Sequence, residues 1–441
     1  MRSTISARRG WQITAALTLF VAAACSAPGA SPSANPSGSA NPSGGQLGGS
    51  ISILATWTGT EEESFRAMIA PWVASTGVDV QYQGTRDMGT ILSNAIQAGG
   101  AGLPDVAGVP GPGEAAEWAE AGALKPLDFI NLADYQASSS LADLGIIDGK
   151  LYGIFTKAAV KGLIWYNKAN YDGTVPADWA ALAAVAPSAD GSLWCNAWES
   201  GGDSGWPGTD WVEDFVLRES GPDVYDSWVA GQTLWTSPEI KAAFQHVADV
   251  IGTSAGGGTY INATNFFNVG DGLFADPPTC KFVHQASFIS SDGFVKVSGA
   301  TADQFDFFVM PQISSEFAGA ITGGGDEFGM FTDTPQARSL LQYLITPEAQ
   351  AIWAGRGGFI AANKNVPEST YKDASDRKAG QAVANATVFR FDGGDNMPGA
   401  MKAAFFDAMV KLASNPADID SILADLDTVQ AEAYSGASPS P

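Results

Sequence analysis

Histidine, cysteine and basic residues are all scarce in this chain, and each shortage removes a class of function. Only two histidines occur, His246 and His284. They are too few and too far apart for a histidine-based metal site. Neither lies in a nucleophile-elbow or other motif that would support a Ser-His-Asp triad, so no metal or cofactor is expected. Lysine and arginine total 23 against 47 acids, a formal charge of −24. A surface of that sign repels nucleic acid and anionic lipid, which makes both poor partners. Beyond the first 25 residues no apolar run reaches the 18–20 residues that a membrane-spanning helix needs. No internal repeat is visible, which argues against a repetitive adhesin.

What is present begins with a leader. Arg8-Arg9 precede an apolar run from about Trp11 to Val21-Ala22-Ala23-Ala24-Cys25. A basic start, a short hydrophobic stretch and small residues before the cut describe a secretory signal peptide. The cysteine after the cut resembles a bacterial lipobox. Residues 1–24 are therefore expected to be a lipoprotein signal peptide, and Cys25 to carry lipid such as palmitate. Ser26 to Ser50 are almost wholly Ser, Pro, Gly, Ala and Asn, a composition that forms a tether reaching roughly 25–30 Å. The expected location is extracytoplasmic, anchored to the outer face of the cytoplasmic membrane. That compartment is oxidising, so the two remaining cysteines, Cys195 and Cys280, are expected to form one disulfide. Residues 434–441 are expected to be a short, disordered tail.

The intervening body alternates strand and helix patterns. Ile51–Ala55, Val78–Tyr82 and Pro104–Val109 alternate or run apolar in the manner of strands. The segments from Thr58 to Trp72 and from Ile91 to Ile96 repeat at helical spacing. This alternation predicts an α/β fold with a parallel sheet, whose ligands gather at the carboxyl ends of the strands. Leu151–Phe155 and Gly162–Tyr166 read as two strands joined across Thr156–Lys161. Phe305–Met310 reads as another strand, and Gly323-Gly324-Gly325-Asp326 as a turn before Glu327–Phe331. Residues 334–355 and 398–433 have helical patterns. Residues 189–235 hold six tryptophans among glycines and aspartates, densest at Glu199–Trp211.

Several stretches in order resemble the solute-binding lipoproteins of carbohydrate ABC importers. They are Gly102-Leu103-Pro104-Asp105-Val106, Ala121–Leu127, Lys150–Gly153 through Trp165–Lys168, Leu344–Gln350 and Asn396-Met397-Pro398. Glu199-Ser200-Gly201-Gly202, Gly205–Trp211, Gln285–Phe288, Asn363–Asn365 and Phe389–Asp392 are similar to the subgroup that takes α-glucosides. The resemblance implies a two-lobed periplasmic-binding-protein fold with a hinged interlobe cleft. It also implies lobe boundaries: residues 51–158 with 313–358 in lobe one, and 159–312 with 359–433 in lobe two. The implied function is capture of an α-glucoside or related oligosaccharide by a monomeric, non-enzymatic protein that delivers it to ABC permease subunits.

A sugar ring has an apolar face and a girdle of hydroxyls, so its site needs flat aromatics beside a few planar polar groups. The candidates are Trp57, Asp105, Lys157, Glu199, Trp206, Asp210, Trp211, Asp326 and Arg390. Most have a structural alternative. Trp211 fits a helix core, and Asp210 fits the N-cap of the helix after it. Asp105 could brace a loop, Lys157 could pair lobe to lobe, and Arg390 could pair with Asp392. Phe405-Phe406 could be an aromatic platform or helix core. Two rival functions remain open: a secreted glycoside hydrolase, which would need two carboxyls about 5–10 Å apart, and a binding protein for a non-sugar solute.

Overall fold

The computed structural model describes residues 46–138, 141–188 and 191–435. The leader, Cys25 and nearly all of the tether lie outside the described residues, as does the end of the tail. Among the described residues, thirteen strands run in chain order as β1 (Ser50–Ala55), β2 (Asp79–Gly84), β3 (Val106–Val109), β4 (Ile146–Ile147), β5 (Lys150–Leu151), β6 (Gly153–Val160) and β7 (Leu163–Asn167). They continue as β8 (Trp194–Cys195), β9 (Phe282–His284), β10 (Phe305–Val309), β11 (Ala320–Met330), β12 (Ile360–Ala361) and β13 (Val388–Phe391). Seven of them form a large sheet in the order β12-β6-β11-β3-β1-β2, with β13 also paired to β11, and four form a small sheet in the order β10-β7-β9-β8.

Each sheet carries its own core, and the chain is two-lobed. On the large sheet, Ile51, Ile53, Val106 and Phe328 pack with Phe65, Trp72, Leu341 and Trp353 of the covering helices. The small-sheet lobe buries Ile164, Phe282 and Phe308 against Trp211, Phe215, Val247, Met401 and Phe405. Helices Thr60–Thr76 and Met88–Gln97 cross over between β1, β2 and β3. That is why β1 runs parallel to both β2 and β3. The large sheet is nevertheless mixed rather than parallel throughout. Strand β11 is antiparallel to β3 and β6, because both β6 and β11 are long strands that lead to or from the other lobe instead of closing a local βαβ unit.

Two expected loops are strands. Gly323–Asp326 are the middle of the eleven-residue β11, not a turn. The glycines serve close packing: a Cβ on Gly323 would stand 2.4 Å from the Phe389 ring, and one on Gly325 would stand 2.8 Å from the Lys157 carbonyl. Likewise β6 continues to Val160, so only Lys161-Gly162 separate it from β7, which belongs to the other sheet. Within 359–433, the short strands β12 and β13 hydrogen-bond to the large sheet, while helices Gly399–Ser414 and Ile419–Ala433 pack in the small-sheet core.

Strand β3 pairs with Glu327–Met330 and β13 with Ala320–Gly323 on one edge of β11. Their carboxyl ends converge on Gly324–Asp326. The loops leaving those ends meet there, between the lobes. In the small-sheet lobe Cys195 and Cys280 are joined by a disulfide with Cα atoms 5.4 Å apart, which ties β8 to the segment leading into β9.

Candidate functional site

Trp206 is the first residue of helix Trp206–Glu219, with Pro207 in its first turn. Gly205 precedes it at φ +105°, and a Cβ there would lie 2.2 Å from the Phe406 carbonyl. No side chain fits at that approach, and the helix start is thereby fixed against helix Gly399–Ser414. Trp206 is half-buried. Its ring meets Phe266 nearly edge-on at 5.1 Å and Phe288 at 6.1 Å. From the large-sheet lobe Arg86 reaches over, with its guanidinium 5.5 Å from the rings of Phe266 and Phe267. An aromatic patch of one lobe thus faces polar groups of the other.

Beneath it lies a charged cluster. The Lys157 ammonium is 3.0 Å from Glu61 Oε1 and 3.9 Å from Asp326 Oδ2, and stands 5.1 Å over the Trp353 ring. Arg86 bonds the other Glu61 oxygen at 2.6 Å. Burial would raise the Glu61 carboxyl, but Lys157 and Arg86 hold it below its ordinary range. Burial works against the Lys157 charge as well, yet Glu61 and the neighbouring aspartates keep its pKa above the usual value. Asp326 is raised by burial, against the pull of Lys157. Asp292, on a π-helical turn at Ser290–Val295 of the small-sheet lobe, accepts from Lys296 at 2.6 Å and from Thr60 of the large-sheet lobe at 3.4 Å.

Four residues along the chain from Lys157, Lys161 makes a second knot. Its ammonium donates to Asp210 Oδ1 at 2.7 Å and, more closely, to Asp392. It lies 5.4 Å over Trp206. Glu213 completes the group and accepts from the Gly394 amide at 3.0 Å. Asp210, Glu213 and Asp392 each offer an oxygen within 4.8 Å of the others, a spacing suited to a cation. The chain supplies that cation itself, as the Lys161 ammonium bonded to two of the three acids. Burial raises Asp210 to about 7 despite Lys161. It also raises Glu213 well above the usual carboxylate range, with help from Asp392. Asp392 resists its own burial and stays low because Lys161 pairs with it.

The structure brings Lys157, Trp206, Asp210 and Asp326 to the region between the lobes and gives the other candidates structural partners. Trp57 is only 2% exposed, in contact with Phe65, Phe328 and Trp353, so it offers no face to a ligand. Its indole N–H instead donates toward Asp326. Asp105 sits at the amino end of β3, where Oδ2 accepts from the Ser52 amide and hydroxyl, each at 2.8 Å. It braces β1, at the end of the strands opposite the site. Trp211 is fully buried and stacks on His284 at 4.0 Å. Glu199 accepts from the Gly201 amide and from Asn265, both at 2.8 Å, and so stiffens the loop before Trp206. Arg390 pairs with Asp226 through two bonds of 2.5 and 2.7 Å near the surface, leaving Asp392 to Lys161. Phe405 is core, whereas the carbonyl of its neighbour Phe406 packs on Gly205.

Glu61, Arg86, Lys161 and Asp292 are not marked by any sequence motif. Lys161 carried a readable signal, because residues 157 and 161 on one extended segment project from the same face. Glu61 was hidden among three acids that look like ordinary helix-start residues.

Residues 67–379 match the family described as bacterial extracellular solute-binding protein. The chain is 34% identical over 394 residues to the alpha-glucosides-binding periplasmic protein AglE of Rhizobium meliloti, covering 85% of each chain. It is 33% identical over 368 residues to the osmoprotective compounds-binding protein GgtB of Synechocystis sp., covering 81% of this chain and 86% of that one. Among solved structures, a chitin oligosaccharide binding protein superposes with a TM-score of 0.76 at 19% identity, covering 88% of this chain and 99% of the other. That likeness is one of fold. Since the family match spans most of the body and two relatives share a third of their residues over most of their length, this chain belongs to the bacterial extracellular solute-binding proteins.

Proposed function

We propose that the protein captures an α-glucoside or related short oligosaccharide outside the cytoplasmic membrane. It holds the sugar between its lobes without turnover and passes it to the permease subunits of an ABC importer. The observation that carries this reading is Trp206. It is a half-buried aromatic set between Phe266 and Phe288, with Lys161 5.4 Å over its ring, while Arg86 and Lys157 of the other lobe stand 5.5 and 5.6 Å from Phe266 and Phe288. The ring is suited to a sugar's C–H face, and the planar acids and cations beside it to its hydroxyls. The lysines there are matched with carboxylates, which favours an uncharged ligand over an ionic one. The relative named for α-glucosides supports the same solute. A second reading, a compact osmoprotective solute, is supported by the other relative at nearly equal identity.

Of the candidate residues, Trp206 is assigned to stacking, and Lys157, Asp210 and Asp326 to the polar wall. The lobes are assigned as residues 51–158 with 313–358 and 159–312 with 359–433, with β12 and β13 returning to the large sheet. The protein acts as a monomer held by lipid on Cys25. That anchor rests on sequence: Cys25→Ser should release the protein from the membrane fraction with its binding unchanged, and retention of the variant would refute it. A thermal-shift screen of disaccharides, maltotriose and glycine betaine tests the solute. A ligand at 100 times its Kd adds about 2.7 kcal/mol to stability, which a melting curve resolves. Release of glucose from any α-glucoside would instead establish a hydrolase.

A further inference from the structure

We propose that Lys402 is a positioning residue for solute binding. Together with Gly111 and Gly113 it forms a latch that joins the two lobes in the closed arrangement and sets how slowly a bound solute escapes.

Lys402 lies in the first turn of helix Gly399–Ser414, whose Met401 and Phe405 belong to the small-sheet core. Its ammonium crosses to the other lobe. It donates to the Pro110 carbonyl at 2.9 Å and to Glu114 Oε2 at 2.9 Å, and lies 3.1 Å from Asp395 Oδ1. Pro110 follows β3. Glu114 is on helix Pro112–Glu120, whose Ala115 and Trp118 pack with Leu54 and Val109 of the large sheet. One buried cation thus holds two groups of one lobe and one of the other. A second bond runs beside it, from the Gly399 amide to Glu117 Oε1 at 3.3 Å.

The packing is as telling as the charges. A Cβ on Gly111 would lie 2.3 Å from the Asp395 carbonyl, and one on Gly113 would lie 2.0 Å from the Met397 carbonyl. Backbone of one lobe rests on backbone of the other, an approach that glycine alone permits. Gly111 is extended at φ 176° and Gly113 is helical, so neither sits in the left-handed region. Their own conformation is open to alanine, and only the contact across the lobes excludes it. In helix Pro112–Glu120 alanine is the better helix former by about 1 kcal/mol. Gly113→Ala therefore opposes closure without opposing the fold of either lobe. Removing Lys402 would leave Glu114 and Asp395 facing one another without a cation, which also favours separation. A contact made only in the closed form lowers the escape rate and leaves capture nearly unchanged.

The experiment uses the full mature chain and the variants Gly113→Ala and Lys402→Met. Small-angle scattering of ligand-free protein reads lobe separation directly and does not depend on the sugar assignment. Both variants are expected to shift to a larger radius of gyration, with the melting temperature of Gly113→Ala no lower than that of the parent. With maltose or trehalose, whichever the parent binds, dissociation should accelerate at least tenfold in both variants while association stays within about twofold. Gly113→Ala that scatters and dissociates as the parent does would overturn the latch. A parent that binds neither sugar would count against the sugar assignment alone, since the scattering arm still decides the latch.

Discussion

Replacing Glu327 with glutamine isolates one buried proton. Glu327 lies on β11 opposite Val109, beside the point where β3 and β13 converge. It is 1% exposed, and neither carboxylate oxygen has a hydrogen-bond partner. Its room comes from Gly153, where a Cβ would collide with the carboxyl. Burial, aided by the nearby Asp395 charge, lifts its pKa from 4.5 to about 8. The folded chain therefore keeps a proton that the unfolded chain releases once the pH passes 4.5. In that window the native state binds more protons, and stability falls as pH rises. The contribution is complete below pH 4.5 and is lost by the time pH passes about 8. At about 1.4 kcal/mol per tenfold change in proton affinity, the full span corresponds to roughly 5 kcal/mol. Glutamine has the same shape and does not titrate. Urea unfolding of parent and Glu327→Gln at about pH 5 and about pH 8 should show the gap moving in the variant's favour by several kcal/mol, with similar m values. Asp395 and the Lys161 knot titrate in both proteins and largely cancel in the difference. A gap that stays within about 0.5 kcal/mol, the range of an ordinary surface substitution, would refute the assignment of a buried, neutral Glu327.

Three further outcomes follow from the same geometry. Reducing Cys195–Cys280, which closes a loop of 85 residues, should lower stability by about 4–5 kcal/mol. Calorimetry should show a much smaller effect on affinity, because Trp206 and the large-sheet lobe are untouched. Trp206→Ala should weaken sugar binding at least tenfold, about 1.4 kcal/mol, with little change in melting temperature, since the ring is only half-buried; unchanged affinity would remove Trp206 from the site. Arg390→Ala should leave affinity unaltered and cost no more than about 1 kcal/mol, because its partner Asp226 is half exposed. A large loss of binding would return Arg390 to the cleft.

What could be read from sequence was mostly local. Strands β1 to β3 and the helices between them announce themselves through alternating and helical apolar spacing. The disulfide follows from cysteine scarcity in an exported chain. Strand β11 did not show, because three consecutive glycines look like a turn until Phe389 and Phe155 are seen packed over them. The tryptophans show the same limit. Trp57, Trp206 and Trp211 all sit near glycine-rich or strand-end segments, yet of the three only Trp206 is not fully buried. What buries the other two is Trp353 and His284, which lie 296 and 73 positions further along the chain. Charge partners are equally non-local. Arg390 finds Asp226, and Lys402 finds Glu114, neither of which any short motif encodes.

The most direct test of the central claim is a calorimetric titration of the purified mature protein with maltose, trehalose and maltotriose, accompanied by an assay for released glucose. Saturable binding of at least one α-glucoside is expected at one site per chain, with a change in tryptophan fluorescence and no glucose formed. Absence of heat and fluorescence change with every α-linked sugar, or accumulation of glucose, would contradict it.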